Sequence, residues 1–173
     1  FAAVLAGRLG APEGRATLWV RPARGGLDPL HAPGLARFCD PGLLLLAEAP
    51  DATETLAVAE EALRSGAVAL VVFEATRPLS LTAGRRLQLA AEAGRTTGLG
   101  LVAEGQGSPA AETRWHAAPL LSPQPDSTLW RWSLIKNKSG TIAAWDLRWD
   151  DETRRIAVVC TSRGGAGAAD LPG

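Results

Sequence analysis

The sequence predicts an α/β fold in which a mostly parallel sheet flanked by helices is followed by antiparallel strands. Up to residue 107, apolar runs of strand length alternate with amphipathic helical segments, which is the βαβ rhythm of a parallel sheet. After Gly107 the apolar runs follow one another without helices, which indicates that antiparallel strands extend the sheet. We therefore expect one core domain at 1–163, with a parallel part at 1–107, an antiparallel extension at 108–163 and a flexible tail at 164–173.

Capping residues and apolar runs define the elements of the first half. Asp51 is a suitable helix N-cap, and Gly66 ends the same helix. The segment Val68–Phe73 is apolar throughout, which is typical of a strand covered on both faces. The predicted elements are a helix at Phe1–Leu9, strands at Ala16–Val20 and Leu43–Leu46, a helix between Asp51 and Gly66, a strand at Val68–Phe73, a helix at Thr82–Ala93 and a strand at Leu99–Val102.

In the second half, β-forming residues recur in runs separated by turn residues. A loop with three prolines at 119–127 separates the first two runs, and Asn137, Ser139 and Gly140 suit a hairpin turn between the next two. The predicted strands are Thr113–Ala117, Leu129–Lys136, Ile142–Trp149 and Arg154–Val159.

Composition excludes several classes of protein. The formal net charge is zero, so the chain lacks the basic bias of an autonomous nucleic-acid binder. No apolar run approaches the roughly 20 residues of a membrane span. The two cysteines, Cys39 and Cys160, lie outside any metal-binding spacing, which indicates reduced thiols and a cytoplasmic protein. Because the sequence has no methionine, we expect that the chain from Phe1 lacks an amino-terminal segment.

The only two lysines, Lys136 and Lys138, lie two residues apart at the end of a predicted strand. Alternate residues of a strand point to the same face, so both ammonium groups would project together. Compact point charges of this kind suit a phosphate. The alternative is a solvated strand end that leads into a turn.

Five of the six tryptophans lie in the second half. Trp130 and Trp132 share a face of one predicted strand, and Trp145 and Trp149 share a face of another. Such stripes usually fill a core or an interface, and base stacking is the alternative. We therefore predict that these four tryptophans bind a partner.

Four segments resemble, in order and spacing, the core of the RecA recombinases over residues 1 to about 159. They are Leu27-Asp28-Pro29, Pro41-Gly42-Leu43-Leu44, the run from Ala62 to Val68, and Ile135-Lys136-Asn137-Lys138. Three further segments look like signatures of the ImuA family, the RecA-like proteins of bacterial damage-inducible mutagenesis cassettes. They are Leu79 to Glu92, Ala111-Glu112-Thr113-Arg114-Trp115, and Leu134 to Gly140.

The ImuA resemblance implies a non-catalytic adaptor with a RecA-like core that acts in the SOS-induced translesion synthesis complex. The implied partners are an inactive Y-family polymerase homologue of the ImuB type, RecA itself and, through the complex, an error-prone replicative-type polymerase. It implies DNA contact that is weak or indirect, no membrane contact, and a cytoplasmic location that becomes nucleoid-associated on induction. Two alternatives stay open: an ATP-binding or ATP-hydrolysing regulator of DNA repair, and a direct DNA-binding protein.

The RecA resemblance also assigns roles to individual residues. A phosphate loop, GxxxxGK[ST], is absent from these 173 residues. Arg24 stands where RecA proteins carry the acid that orients water, and a cation there cannot act as a base. Glu74 falls at the position that holds magnesium through water, with a surface carboxylate as the alternative, and Lys136 with Lys138 falls at the phosphate-contacting pair. We predict no resident cofactor and no enzymatic activity, while these residues keep ATP and Mg²⁺ open.

Overall fold

A computed structural model describes residues 1–10, 14–122 and 128–163. The predicted tail at 164–173 and most of the proline loop lie outside these ranges. The chain divides into two compact units, the first ending at Ala111 and the second beginning at Glu112. The division lies close to the predicted change from the parallel to the antiparallel part, and the assignment of both parts to one domain remains a prediction.

The first unit is built on a parallel four-stranded sheet in the order β2-β1-β3-β4. Its strands are β1 (Thr17–Pro22), β2 (Leu44–Ala49), β3 (Leu70–Ala75) and β4 (Thr97–Val102). Its helices are α1 (Ala2–Gly10), α2 (Ala32–Leu35), α3 (Ala52–Ser65) and α4 (Leu81–Gly94), and a short 3-10 turn spans Pro41–Leu43. This arrangement confirms the predicted α/β class with a helix-flanked parallel sheet.

Apolar side chains cover both faces of the parallel sheet. On one face, Val71 and Phe73 of β3 pack with Leu63 of α3 and Leu87 of α4. On the other face, Leu70 and Val72 pack with residues of α1 and with Trp19. Because alternate residues of β3 enter opposite cores, the strand is apolar throughout, as the sequence predicts.

The helix ends follow from their capping residues. Asp51 accepts hydrogen bonds from the amides of Thr53 and Glu54 at 2.7 and 3.0 Å, which starts α3. Gly66 ends α3 in the left-handed conformation at φ 68°. Ser80 accepts from the amide of Ala83 at 3.1 Å and begins α4. The two predicted boundaries of α3 are therefore confirmed.

The second unit carries an antiparallel four-stranded sheet in the order β5-β6-β7-β8. Its strands are β5 (Thr113–Pro119), β6 (Leu129–Asn137), β7 (Ala143–Asp150) and β8 (Arg155–Arg163). Each strand pairs with its neighbour in sequence, and the four predicted strands are confirmed within a few residues at each end.

The arrangement differs from the sequence prediction in two details. The antiparallel strands do not extend the parallel sheet but form a sheet of their own, since β5 joins the ladder of β6 and β4 pairs only with β3 among the described strands. Sequential strands joined by short connections preferentially pair with one another. The four-residue helix α2 was also not predicted, because Ala32–Leu35 is too short to show helical periodicity.

Candidate functional site

The carboxyl ends of β1 and β3 lie side by side at the point where the strand order of the parallel sheet reverses. β1 lies between β2 and β3, so the chain moves outward to opposite sides from this central pair. In open α/β sheets, ligands bind in the crevice at such a point, outside the carboxyl ends of the strands. Glu74 is the penultimate residue of β3 and lies at this position.

Glu74 is buried, with 2% of its surface exposed, and its carboxylate accepts hydrogen bonds from two different segments. Trp19 Nε1 donates to Oε1 at 2.9 Å, and the backbone amide of Leu27 donates to Oε2 at 2.8 Å. The Arg21 guanidinium lies 3.9 Å from Oε2. A buried carboxylate needs such donors and a cation to offset the loss of hydration.

These contacts fasten the segment after β1 across the crevice. We call residues 23–30 the anchor loop. Within it, Gly26 lies so close to Glu74 that a Cβ atom there would stand 2.7 Å from Oε2, so a side chain would displace the carboxylate. The Arg21 guanidinium also donates to the carbonyl oxygen of Leu27, which ties the loop to β1.

Glu74 was predicted from the RecA resemblance as a magnesium position, with a surface carboxylate as the alternative. The surface alternative is wrong, because the side chain is buried. Both carboxylate oxygens accept a hydrogen bond from the protein, which ties the side chain to β1 and to the anchor loop. These contacts give Glu74 the role of a loop anchor, and its role toward magnesium stays a prediction. Among the described residues, no group of three or more His, Cys, Asp or Glu side chains is arranged to hold a metal ion.

Arg24, which the RecA resemblance aligns with the water-orienting acid, is exposed in the anchor loop. The backbone there makes a turn, since the next residue, Gly25, has φ 74°. The buried carboxylate that contacts this loop is that of Glu74, whose oxygens bind Trp19 and Leu27.

In the second unit, Lys136 lies near the carboxyl end of β6 and Lys138 directly follows that strand. Lys136 is half-buried and pairs with Arg114 of β5, next to a bulge in the ladder. Lys138 follows the end of β6, and its ammonium contacts Glu112 Oε1 at 2.7 Å. Its backbone amide also donates to the carbonyl of Glu112 at 3.0 Å. The structure therefore brings the two lysines into one cluster with Arg114 and Glu112.

Burial, together with the nearby charges of Lys138 and Arg114, lowers the pKa of the Lys136 ammonium. Glu112 acts in the opposite direction but offsets these effects only in part. Because like charges disfavour the protonated form, an anion bound between these side chains would relieve the repulsion. We call Arg114, Lys136 and Lys138 the cationic cluster. Phosphate binding and a solvated strand end both stay predictions for this cluster.

The predicted tryptophans lie on one face of the antiparallel sheet. Trp132 of β6 stands directly opposite Trp145 of β7, and Trp130 and Trp149 share that face by alternation along their strands. Trp130 and Trp132 stack with ring centroids 6.3 Å apart, and Trp145 lies 5.6 Å from Trp115. Trp149 is buried, and the other three predicted tryptophans are half-buried. Their role in partner binding remains a prediction.

The sequence contained no direct signal for Trp19 or Leu27 as partners of Glu74. Trp19 is an aromatic residue in a strand, and Leu27 contributes only its backbone amide. The one available signal was the Gly25-Gly26 pair after β1, which is typical of a tight loop with close backbone approach.

No protein-family model matches this chain. Protein ImuA of Caulobacter vibrioides (strain NA1000 / CB15N) is 37% identical over 156 residues, a match that covers 79% of this chain and 61% of that protein. Protein ImuA of the strain ATCC 19089 / CIP 103742 / CB 15 matches with the same values. The chain thus spans about three fifths of the length of these curated relatives.

Among solved structures, the chain is similar to the crystal structure of SulA from Pseudomonas aeruginosa. The TM-score is 0.47 at 28% sequence identity, and the match covers 57% of this chain and 80% of that chain. Within the described ranges, no helix has both the length and the apolar character needed to cross a membrane.

Proposed function

This chain belongs to the ImuA family, and from that premise we propose that it is a non-catalytic accessory protein of damage-inducible mutagenesis. It acts by binding rather than by turnover. Its partners are an inactive Y-family polymerase homologue of the ImuB type and RecA, and it reaches an error-prone replicative-type polymerase through the assembled complex. Its contact with DNA is weak or indirect.

The non-catalytic part of this proposal rests on the hydrogen bonds that the Glu74 carboxylate accepts from the protein itself. A RecA-type ATPase needs a carboxylate that reaches magnesium and a second acid that orients water. Here the carboxylate at the first position holds the anchor loop through Trp19 and Leu27, and Arg24 stands at the second position. One oxygen of this carboxylate thus holds a backbone amide of the chain itself, and this supports assembly as the role that the scaffold retains.

A pull-down with the full-length protein tests the adaptor role. We expect the immobilised protein to retain purified RecA and the purified ImuB-type homologue, separately and together. Arg24→Glu places an acid where RecA proteins carry the water-orienting acid and leaves Glu74 unchanged. We expect this variant to retain both partners as well as the wild-type protein does. Failure of the wild-type protein to retain either partner would refute the adaptor role.

A second candidate function, binding of ATP at an interface with a partner, draws support from the cationic cluster. Lys136 carries an unfavourable interaction with Lys138 and Arg114 that a phosphate group would relieve. Isothermal titration of the full-length protein with a non-hydrolysable ATP analogue and Mg²⁺ separates the two functions. Binding that is lost in Lys138→Ala would favour the ATP-dependent function, and an absence of binding heat would remove it.

The direct DNA-binding alternative makes a different prediction. Contact with phosphates through arginines and lysines releases counterions, so affinity should fall steeply as salt increases. The zero net charge of the chain favours weak binding instead. We expect fluorescence anisotropy with single-stranded DNA to give little signal at physiological salt, and tight binding with a steep salt dependence would contradict this.

A further inference from the structure

A cleft that Glu74 does not line lies in the first unit, between two helices. It has a volume of about 410 Å³ and opens between the first half of α3, the first half of α4 and the segment 75–80 that joins β3 to α4. Ligand sites in proteins typically occupy roughly 300–1,000 Å³, so the cleft can hold several side chains of a ligand.

The interior of the cleft is mostly apolar. Leu56 of α3 and Leu87 of α4 line it, and Leu79 contributes from the connecting segment. Leu81, two residues after Leu79, is 61% exposed. An exposed apolar side chain thus follows the cleft segment closely in sequence, and exposed apolar residues beside a groove are typical of sites that bind an extended segment.

Of the charged side chains around the cleft, one arginine has no acidic side chain paired with it among the described residues. Glu60 binds Arg64 at 2.6 Å and Arg86 at 2.7 Å, and Arg64 also contacts Glu61 at 3.3 Å. These four residues balance one another in charge. Arg77 also lines the cleft, is exposed, and makes no ion pair or hydrogen bond with any residue in the described ranges. Arg77 can therefore pair with a carboxylate of a ligand in the bidentate geometry that arginine favours.

The start of α4 adds to the positive potential beside Arg77. α4 is 14 residues long, its N-cap is the neutral Ser80, and its first turn contains no acidic residue. A helix N-terminus without an acidic neighbour retains its partial positive charge. Asp51, in contrast, neutralises the start of α3. The positive side of the cleft is therefore the side formed by Arg77 and α4.

The wall that carries Arg77 is held in place by the neighbouring loop. The amide of Leu79 donates to the carbonyl of Gln106 at 3.0 Å, and Ser108 Oγ donates to the carbonyl of Ser80 at 3.0 Å. Gly84 packs so closely on Ser108 that a Cβ atom would stand 2.0 Å from Oγ. A preformed wall lowers the entropic cost of binding.

From this combination we propose that the α3–α4 cleft binds a short peptide segment of a partner protein, in which one Asp or Glu side chain is flanked by apolar side chains. The carboxylate pairs with Arg77 at the start of α4, and the apolar side chains enter between Leu56, Leu79 and Leu87. Nothing in this assignment depends on which protein supplies the segment, so its failure would leave the proposed adaptor function intact.

Selection from a random displayed seven-residue peptide library against the full-length protein tests the assignment. We expect enrichment of peptides with a single acidic residue between apolar ones. The affinity of the enriched peptide, measured by fluorescence anisotropy, should fall roughly tenfold in Arg77→Ala, the loss expected for one charge-assisted hydrogen-bonded pair. Ala83→Trp, which fills the cleft, should abolish binding, and exchange of the peptide's acid for its amide should match Arg77→Ala.

Arg85→Ala is the matched control, since Arg85 lies on the same helix, is exposed and bonds to Gln88 outside the cleft. We expect this variant to bind the peptide as the wild type does. The proposal is overturned if no peptide is enriched, if the enriched peptides lack an acid, or if Arg77→Ala and Arg85→Ala behave alike. Displacement of the peptide by inorganic phosphate or ATP at equal concentration would also overturn it, because the site would then be one for small anions.

Discussion

The parallel and antiparallel sheets differ in how they cover their apolar side chains. In the parallel sheet, Val71 and Val72 of β3 are fully buried, with helices on both faces. In the antiparallel sheet, Val158 and Val159 of β8 are 58% and 54% exposed, and the second unit contributes no helix among its described residues. From this comparison we expect the apolar core of the first unit to contribute more to the free energy of unfolding than the second sheet does.

The largest expected effect on stability comes from Glu74→Ala. This change leaves Trp19 Nε1 and the Leu27 amide without their buried acceptor and the Arg21 guanidinium without its nearby carboxylate. We expect the free energy of unfolding to fall by about 3 kcal/mol. Urea denaturation measures this fall, and hydrogen exchange of the Leu27 amide should accelerate.

Glu74→Gln is the conservative control for this prediction. The glutamine side chain keeps one acceptor oxygen, so the free energy of unfolding should fall less in Glu74→Gln than in Glu74→Ala. If Glu74→Ala left both the urea midpoint and the exchange of Leu27 unchanged, the anchor-loop interpretation would be wrong.

A matched pair of valines sharpens the comparison between the two sheets. Val72→Ala removes two methyl groups from a fully buried position, and we expect a loss of about 2 kcal/mol. Val158→Ala makes the same chemical change at a position that is 58% exposed, and we expect a change within about 0.5 kcal/mol. Equal losses in chemical denaturation would show that the second sheet is covered as fully as the first.

The double variant Lys136→Ala/Lys138→Ala tests the binding role of the second unit. Both side chains are at least partly accessible, so we expect little change in thermal stability. If the cationic cluster contacts a partner, affinity for RecA should fall roughly tenfold, as for a substantial interface residue. Surface plasmon resonance measures this, with Lys136→Arg/Lys138→Arg as the charge-preserving control. A stable protein with undiminished affinity for RecA would remove the cluster from the interface.

The smallest expected effect concerns Arg131 and Asp146, which face each other on β6 and β7 with two contacts of 2.7 and 2.8 Å. The hydrogen bond from Arg131 lowers the pKa of Asp146 below its usual value. The stabilisation is therefore present above the unfolded pKa of about 3.9 and is lost as pH falls through the lower folded value. Asp146→Asn should remove this part of the acid dependence in thermal melts, and an unchanged acid profile would contradict the assignment.

The sequence predicted the elements well because local signals agreed with the tertiary contacts. The uniform apolar run of β3 follows from burial on both faces, and Asp51 and Gly66 mark the ends of α3 through their own capping chemistry. The resemblance to the ImuA family was confirmed by the curated relatives. The separation of the two sheets could not be predicted, because it depends on which strand β5 pairs with rather than on the pattern within β5.

The candidate site was predicted only in part. The sequence placed Glu74 at the end of a buried strand, but its partners are a distant indole and a backbone amide that no side-chain pattern announces. The sequence predicts two pairs of tryptophans, each on one face of its own strand. That both pairs lie on the same face of the sheet follows from the register, in which Trp132 stands opposite Trp145. Register between strands is set by turn geometry and by packing across the sheet, so single-strand periodicity does not specify it.

We propose that Glu74 holds the anchor loop and takes no part in ATP hydrolysis. The most direct test is phosphate release by the full-length protein with ATP and Mg²⁺, compared with its Glu74→Gln and Lys138→Ala variants. We predict that all three proteins release phosphate at the rate of a protein-free blank. Release by the wild-type protein that disappears in both variants would contradict the claim, because Glu74 and Lys138 would then act on the nucleotide.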